Sequence, residues 1–443
     1  MRRYLNRGSA LDRARARLSS GSAVLFAALM AANGLAYLYL MLVARLLTPA
    51  EYGILVTLTS ASFVLSVLMR TIQAWVVKAT ALLPGLGTGD VRRIFTLTSR
   101  ILVPAGIVIL GLHWLASGWA ANFLHIGSGA PIIILGLYSS SSLLVPVPRG
   151  VLLGIKRLRL AGVVNVAEVA VRLVCGLFLV ILGLGVRGAL VAYTVGNVVS
   201  FLLAMVVLWP LVRPSREPPS RAEITRGLDG YATLLLIGNT CLMVVASLDQ
   251  VAVKHFFSDQ VAGNYAVAFL LGRVIALTTV SLGWVIFARS ATLPENDPRR
   301  ARIFFTGLLS IGGFASALTA GYLVLPGLAI RLMGGSQYVF AENYVGLVGI
   351  EMTLFALIYI QSYYLMSMKR MLVVWPLGLA VVCELVLVAG FHDTVQHMLL
   401  CLIAVLAGLL IIVSAMSGLA LRDLNRITSA SVPGTARRAV KTA

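Results

Sequence analysis

Nine ionisable side chains interrupt stretches that are otherwise apolar: Arg70, Arg100, Arg149, Glu168, Arg172, Asp249, Arg273, Glu351 and Glu384. A charge in such a stretch is costly, so it faces a partner or a watery cavity. The set is lopsided. The first half carries four arginines and one glutamate; the second carries three carboxylates and one arginine. Guanidinium stays charged and can grip phosphate through two parallel hydrogen bonds. Carboxylates in an apolar interior can take up Na⁺ or H⁺. The chemistry on offer is therefore anion binding in one half and cation exchange in the other.

These charges are positioned by a chain built for lipid. The 443 residues are 59% hydrophobic, with mean hydropathy +0.94, yet Lys and Arg number 36 against 16 Asp and Glu. Apolar runs of about 20 residues, enough to cross roughly 30 Å of hydrocarbon, recur throughout. Such runs must be helical, because lipid offers the backbone no hydrogen bonds. Twelve spans are expected near 21–46, 52–80, 94–118, 131–155, 160–183, 187–212, 230–254, 262–290, 303–330, 343–368, 371–391 and 396–421, with very short connections at 155/160, 183/187 and 368/371. With both termini cytoplasmic, 28 of the 36 Lys and Arg fall on the inner side and four on the outer. That is the bias expected of a multi-pass protein of a bacterial inner membrane.

Other classes fit poorly. The apolar run after the basic N-terminus exceeds a signal-peptide core, and no small-residue cleavage site follows. Basic residues are spread over seven loops and tails, which argues against nucleic-acid binding and for contact with anionic membrane lipids. Cys175, Cys241, Cys383 and Cys401 lie within spans, so neither a disulfide framework nor a metal site is expected. His113, His125, His255, His392 and His397 gather toward the outer side without convincing metal spacing.

The expected organisation is a basic cytoplasmic tail (1–20), an N-lobe of helices 1–6 (21–212), a cytoplasmic linker (213–229), a C-lobe of helices 7–12 (230–421) and a cytoplasmic tail (422–443). At an offset of 210 residues Thr48 meets Ser258, Gly53 meets Gly263, Thr80 meets Ser290 and Pro84 meets Pro294. The fold class is an all-α membrane protein, about twelve transmembrane helices in two six-helix lobes related by a pseudo-twofold axis along the membrane normal. Pro146 and Pro148 should kink or unwind helix 4, while Pro104, Pro326 and Pro376 are single kinks.

Three stretches carry a family likeness. They are Leu42-Val43-Ala44-Arg45-Leu46-Leu47-Thr48-Pro49-Ala50-Glu51-Tyr52-Gly53; Asp249 through Phe257 with Ala262-Gly263-Asn264-Tyr265 and Gly272-Arg273; and Arg149-Gly150-Val151-Leu152-Leu153-Gly154-Ile155-Lys156-Arg157 followed by Glu168 and Arg172. The chain resembles the polysaccharide and O-antigen flippases of the multidrug/oligosaccharidyl-lipid/polysaccharide (MOP) exporter superfamily. The likeness implies a transporter that moves a polyprenyl-pyrophosphate-linked oligosaccharide from the cytoplasmic to the outer leaflet by alternating access. It would act alongside other polysaccharide-assembly proteins and without a cofactor.

At about 1.5 Å per residue, Arg70, Arg100 and Arg149 all fall in the cytoplasmic half of the bilayer, the depth at which a pyrophosphate headgroup would arrive. Two accounts stand: the three arginines form a phosphate-binding cavity, or their long stems snorkel to the headgroups. Glu168 and Arg172, four residues apart with the acid first, are expected to form a structural ion pair. Glu351 and Glu384, with Asp249 nearer the outer headgroups, are candidates for coupling to a Na⁺ or H⁺ gradient; the alternative is pairing with Arg273 or Gln361. No GxxxxGK[ST] loop is present and no nucleophile–base set suggests catalysis, so no catalytic residue is expected. A multidrug or small-molecule exporter, a membrane glycosyltransferase and a non-transporting assembly scaffold are the rival functions.

Overall fold

A computed structural model describes residues 2–81, 88–212, 230–291, 293, 297 and 299–430. The linker expected at 213–229 lies outside the described residues, as does the tail from 431 onward. The described residues are helical apart from short turns, and the chain divides into two compact units, Met1–Gly227 and Leu228–Ala443.

The first unit holds α1 (Arg2–Leu46), α2 (Pro49–Phe63), α3 (Leu65–Ala81), α4 (Thr88–Phe123), α5 (Ala130–Ser142), α6 (Pro146–Gly154), α7 (Leu158–Leu179) and α8 (Gly185–Val212). The second holds α9 (Gly230–Val245), α10 (Leu248–Phe256), α11 (Asp259–Ala291), α12 (Arg299–Val324), α13 (Pro326–Met333), α14 (Glu342–Ser367), α15 (Val374–Gly390) and α16 (Val395–Ala430).

Among the described residues nine helical stretches are long and apolar enough to cross a membrane, and two bent pairs, α2 with α3 (41°) and α9 with α10 (43°), raise this to eleven. One of the nine, Leu158–Pro210, spans 53 residues. A straight helix of that length would measure about 80 Å, far beyond a bilayer. It is folded in two: Gly183 and Gly185 take positive φ (85° and 51°), and a Cβ on Gly196 would lie 2.9 Å from the Glu168 carbonyl oxygen. Only a hairpin brings residues 28 apart on helical chain into contact. The described residues thus contain twelve crossings, six in each unit.

The other short connections use the same device. Lys156, between α6 and α7, and Lys369, after α14, both take left-handed φ (59° and 58°). One residue in that conformation reverses the chain in minimal length.

The internal repeat is visible in helix boundaries. The α2–α3 pair and α11 both start and end 210 residues apart, and α4 ends at Phe123 as α13 ends at Met333. The units differ in where they break. Val64 divides α2 from α3, and residues 143–145 divide α5 from α6, whereas α11 and α14 run unbroken. Pro146 and Pro148 fall in the first turn of α6, where the missing N–H costs little. Pro326 likewise opens α13, Pro376 sits in the first turn of α15, and Pro104 is carried inside a continuous α4.

Gly150 and Gly154 on α6 face Val76 and Thr80 on α3, where a Cβ would approach to 2.7 and 2.6 Å. Small residues at this spacing let helix backbones meet in lipid. Gly176 on α7 accommodates the Tyr39 ring, whose hydroxyl donates to the Ala189 carbonyl at 2.8 Å and ties α1 to α8. In the second unit α14 is the hub, packed by α11, α12 and α16, with Phe355, Tyr359, Tyr363 and Tyr364 buried along its length.

Candidate functional site

Each unit holds a buried cluster of charged side chains. In the first, Arg149 on α6 reaches side chains of α7 and α8. Its Nη2 donates to Glu168 Oε2 and, at 2.9 Å, to Ser200 Oγ. The two charged side chains are only 16% and 15% exposed. Gly196 allows α8 to approach α7 at this level, which brings Ser200 within reach.

The expected pair between Glu168 and Arg172 is not the one formed. Glu168 turns across to Arg149, and Arg172 lies with its guanidinium carbon 4.7 Å from the centroid of the Tyr193 ring, a cation–π contact. The Arg149 side chain is only 16% exposed, where an unpaired charge would be costly. Tyr193 is itself packed edge-on by Tyr39 and Tyr138, at 5.6 and 5.1 Å. Two guanidiniums thus flank one carboxylate, and Arg149 and Arg172 repel each other electrostatically. The Nε atoms of both arginines are buried without a hydrogen-bond partner among the described residues.

Arg70 and Arg100 stand apart. Arg70 is half-buried on α3, 6.0 Å from the Phe63 ring centroid, and Arg100 is exposed on α4. Neither makes an ion pair among the described residues. Of the three arginines expected to share a phosphate cavity, only Arg149 belongs to the buried cluster, and there it is already matched by Glu168.

In the second unit Asp249, Glu351 and Glu384 are 0%, 1% and 1% exposed. Asp249, expected toward the outer end of its span, is enclosed within the unit. The break at 245–248 puts it in the first turn of α10, where it accepts a hydrogen bond from the Tyr265 hydroxyl. A carboxylate there also meets the positive end of the helix. Glu351 interacts electrostatically with both Asp249 and Glu384. Asp249 Oδ1, Glu351 Oε2 and Glu384 Oε2 are buried without a hydrogen-bond partner among the described residues.

Of the two alternative partners, Arg273 acts on Asp249 and Gln361 bonds to a serine. Arg273 faces Asp249, donates to Ser247 Oγ at 3.5 Å and lies 4.9 Å from the Phe269 ring centroid. Gln361 donates to Ser414 Oγ at 3.1 Å. Among the described residues no three His, Cys, Asp or Glu side chains are close enough together to hold a metal ion.

Sequence reasoning passed over Ser200, Tyr193 and Tyr265. The signal for the first two was present: Tyr193, Asn197 and Ser200 form a polar stripe at helical spacing along α8. Tyr265 had no local signal, because its partner is 16 residues away across a helix turn.

The chain has the fold of solved transporters of the MOP superfamily. The fold matches an inward-facing multidrug resistance MATE family transporter of the MOP superfamily, with TM-score 0.71 and 12% identity over 88% of this chain and 95% of that one. It also matches the lipid II flippase MurJ in an inward closed conformation, with TM-score 0.65 and 12% identity over 92% and 93%. A eukaryotic MATE transporter matches with TM-score 0.64 and 14% identity over 94% and 99%. A family model described as polysaccharide biosynthesis protein matches residues 42–342. The chain belongs to that family. Comparison with curated protein sequences finds no match.

Proposed function

We propose that this protein flips a polyprenyl-pyrophosphate-linked oligosaccharide from the cytoplasmic to the outer leaflet for polysaccharide synthesis. The observation that carries this reading is the excess of guanidinium over carboxylate in the buried cluster of the first unit, within a chain of a polysaccharide biosynthesis family. An anionic headgroup suits that excess, whereas a cationic drug would be repelled. Likeness to a lipid II flippase supports a lipid-linked cargo. The likeness to MATE transporters supports the second reading, export of a small molecule on the same scaffold.

Asp249, Glu351 and Glu384 are proposed to couple the cycle to a Na⁺ or H⁺ gradient. Support comes from their burial, their mutual repulsion and the unpaired oxygen on each. A proton or a small cation relieves that repulsion and fills the open oxygen. Arg70 and Arg100 are proposed as headgroup contacts on the approach to Arg149. Both termini are proposed to be cytoplasmic, in a bacterial inner membrane, with membrane lipids and other assembly proteins as neighbours.

The test is leaflet accessibility of a labelled lipid-linked saccharide in vesicles with and without the protein, under imposed Na⁺ or pH gradients. Protein-dependent transfer, accelerated by one gradient, is the expected result. Export of a cationic dye with no saccharide transfer would shift the assignment to the exporter.

A further inference from the structure

The cluster in the first unit contains one carboxylate and two guanidiniums that could claim it. Glu168 sits on α7 with Arg149 reaching it from α6 and Arg172 one turn further along its own helix. Glu168 has taken Arg149. Arg172 rests on the Tyr193 ring with its Nε unpaired. Residues four apart on a helix are close enough to pair, with the acid first being the favourable order. Glu168 therefore has a second, ordinary partner within reach of a rotamer change.

A phosphate oxygen and a carboxylate oxygen present the same acceptor to a guanidinium. An anionic headgroup reaching Arg149 must compete with Glu168 for it. If Glu168 simply left, a carboxylate would be stranded in an interior with few donors, a costly outcome. If it turns to Arg172, every charge stays paired: phosphate on Arg149, Glu168 on Arg172. The cation–π contact of Arg172 with Tyr193 is the interaction given up.

We infer that Glu168 is a carboxylate stand-in that holds Arg149 until an anionic headgroup arrives, and that Arg172 receives Glu168 during the exchange. Arg149, Ser200 and the Nε of Arg149 then form the anion subsite, and Arg172 acts through Glu168 as a positioning residue. The inference rests on the proposal that the cargo is anionic, and extends it by giving the two residues on α7 distinct parts. No bond breaks; the anion enters and leaves by exchange of hydrogen bonds.

The experiment measures binding of farnesyl pyrophosphate, with inorganic pyrophosphate as a chain-free probe and farnesol as the neutral control, to the full chain in neutral-lipid nanodiscs. Glu168→Gln removes the competitor and is expected to bind about tenfold tighter than wild type. Arg172→Gln removes the acceptor of Glu168 and is expected to bind about tenfold weaker. Arg172→Lys keeps a charge and is expected to restore most of that loss. In the double variant Glu168→Gln with Arg172→Gln the weakening should vanish, because no carboxylate remains to be received.

Equal or weaker binding by Glu168→Gln overturns the exchange, as does an Arg172→Gln effect that persists in the double variant. Should Glu168→Gln fail to give dispersed protein, Glu168→Asp retracts the carboxylate by one methylene and is expected to bind about threefold tighter; unchanged affinity there overturns the inference equally. Anion exchange without transfer of lipid-linked saccharide would sink the proposed cargo alone. Saccharide transfer with no competition at Arg149 would sink the exchange alone.

Discussion

At the scale of single residues, Arg149 and Glu168 illustrate why a buried ion pair is poor glue and a good switch. Removing either partner leaves the other charge unpaired in the interior, at a cost of about 3–5 kcal/mol. Arg149→Ala is therefore expected to lower the unfolding midpoint in detergent sharply, while Arg149→Met combined with Glu168→Leu should recover most of the loss. If the double substitution is no better than the single, the charge account is wrong and shape alone holds the site. Tyr265 poses a simpler case. Its hydroxyl is the side-chain donor to Asp249. Tyr265→Phe removes that hydrogen bond and should cost about 1–3 kcal/mol, read by the same melt. A neutral outcome would mean that Asp249 finds compensation elsewhere.

At the scale of elements, three of the charged residues lie beyond helix breaks: Arg70 after Val64, Arg149 after 143–145 and Asp249 after 246–247. The bends of 41° between α2 and α3 and 43° between α9 and α10 re-aim the segments that follow. Glycine decides whether these segments can close up. On Gly196 a new Cβ would lie 2.9 Å from the Glu168 carbonyl and 3.3 Å from the Arg172 Cβ. Gly196→Leu should push α8 away from α7, cost about 1–3 kcal/mol or more, and separate Ser200 from Arg149. Gly118→Leu, where nothing lies within 4 Å, is the control and should be tolerated. At the α7–α8 turn Gly183 holds φ +85°. Gly183→Val should cost about 1–2 kcal/mol through backbone strain alone, with packing unchanged.

At the scale of the whole molecule, the twelve crossings predict where the ends and the linker lie. A cysteine placed at 222, in the linker, should react with an impermeant reagent only in inside-out vesicles, and one placed at 127, after α4, only in right-side-out cells. The reverse pattern would invert the topology and with it the depth assigned to Arg70, Arg100 and Arg149. The repeat also has a consequence at this scale. The units share helix boundaries at a constant offset but differ in where helices break, so each can hold a different charge: guanidinium in the first, carboxylate in the second.

Hydropathy, loop charge and the 210-residue offset were enough to establish a helical membrane protein of twelve crossings in two related halves. Those properties are one-dimensional: a span is a run, sidedness is a count and a repeat is an offset. The family likeness was legible for the same reason, in contiguous turns such as Leu47-Thr48-Pro49-Ala50-Glu51, where Thr48 and Glu51 cap α2 reciprocally. Pairing was not legible. Spacing on one helix favoured Glu168 with Arg172, yet the tertiary fold presents Arg149 from another helix, and Arg149 takes the carboxylate. Likewise the enclosure of Asp249 by the start of α10 and the Tyr265 hydroxyl was not visible in residue counts along the span. Which charges meet depends on how helices turn about their axes and where they bend, and a linear pattern carries neither.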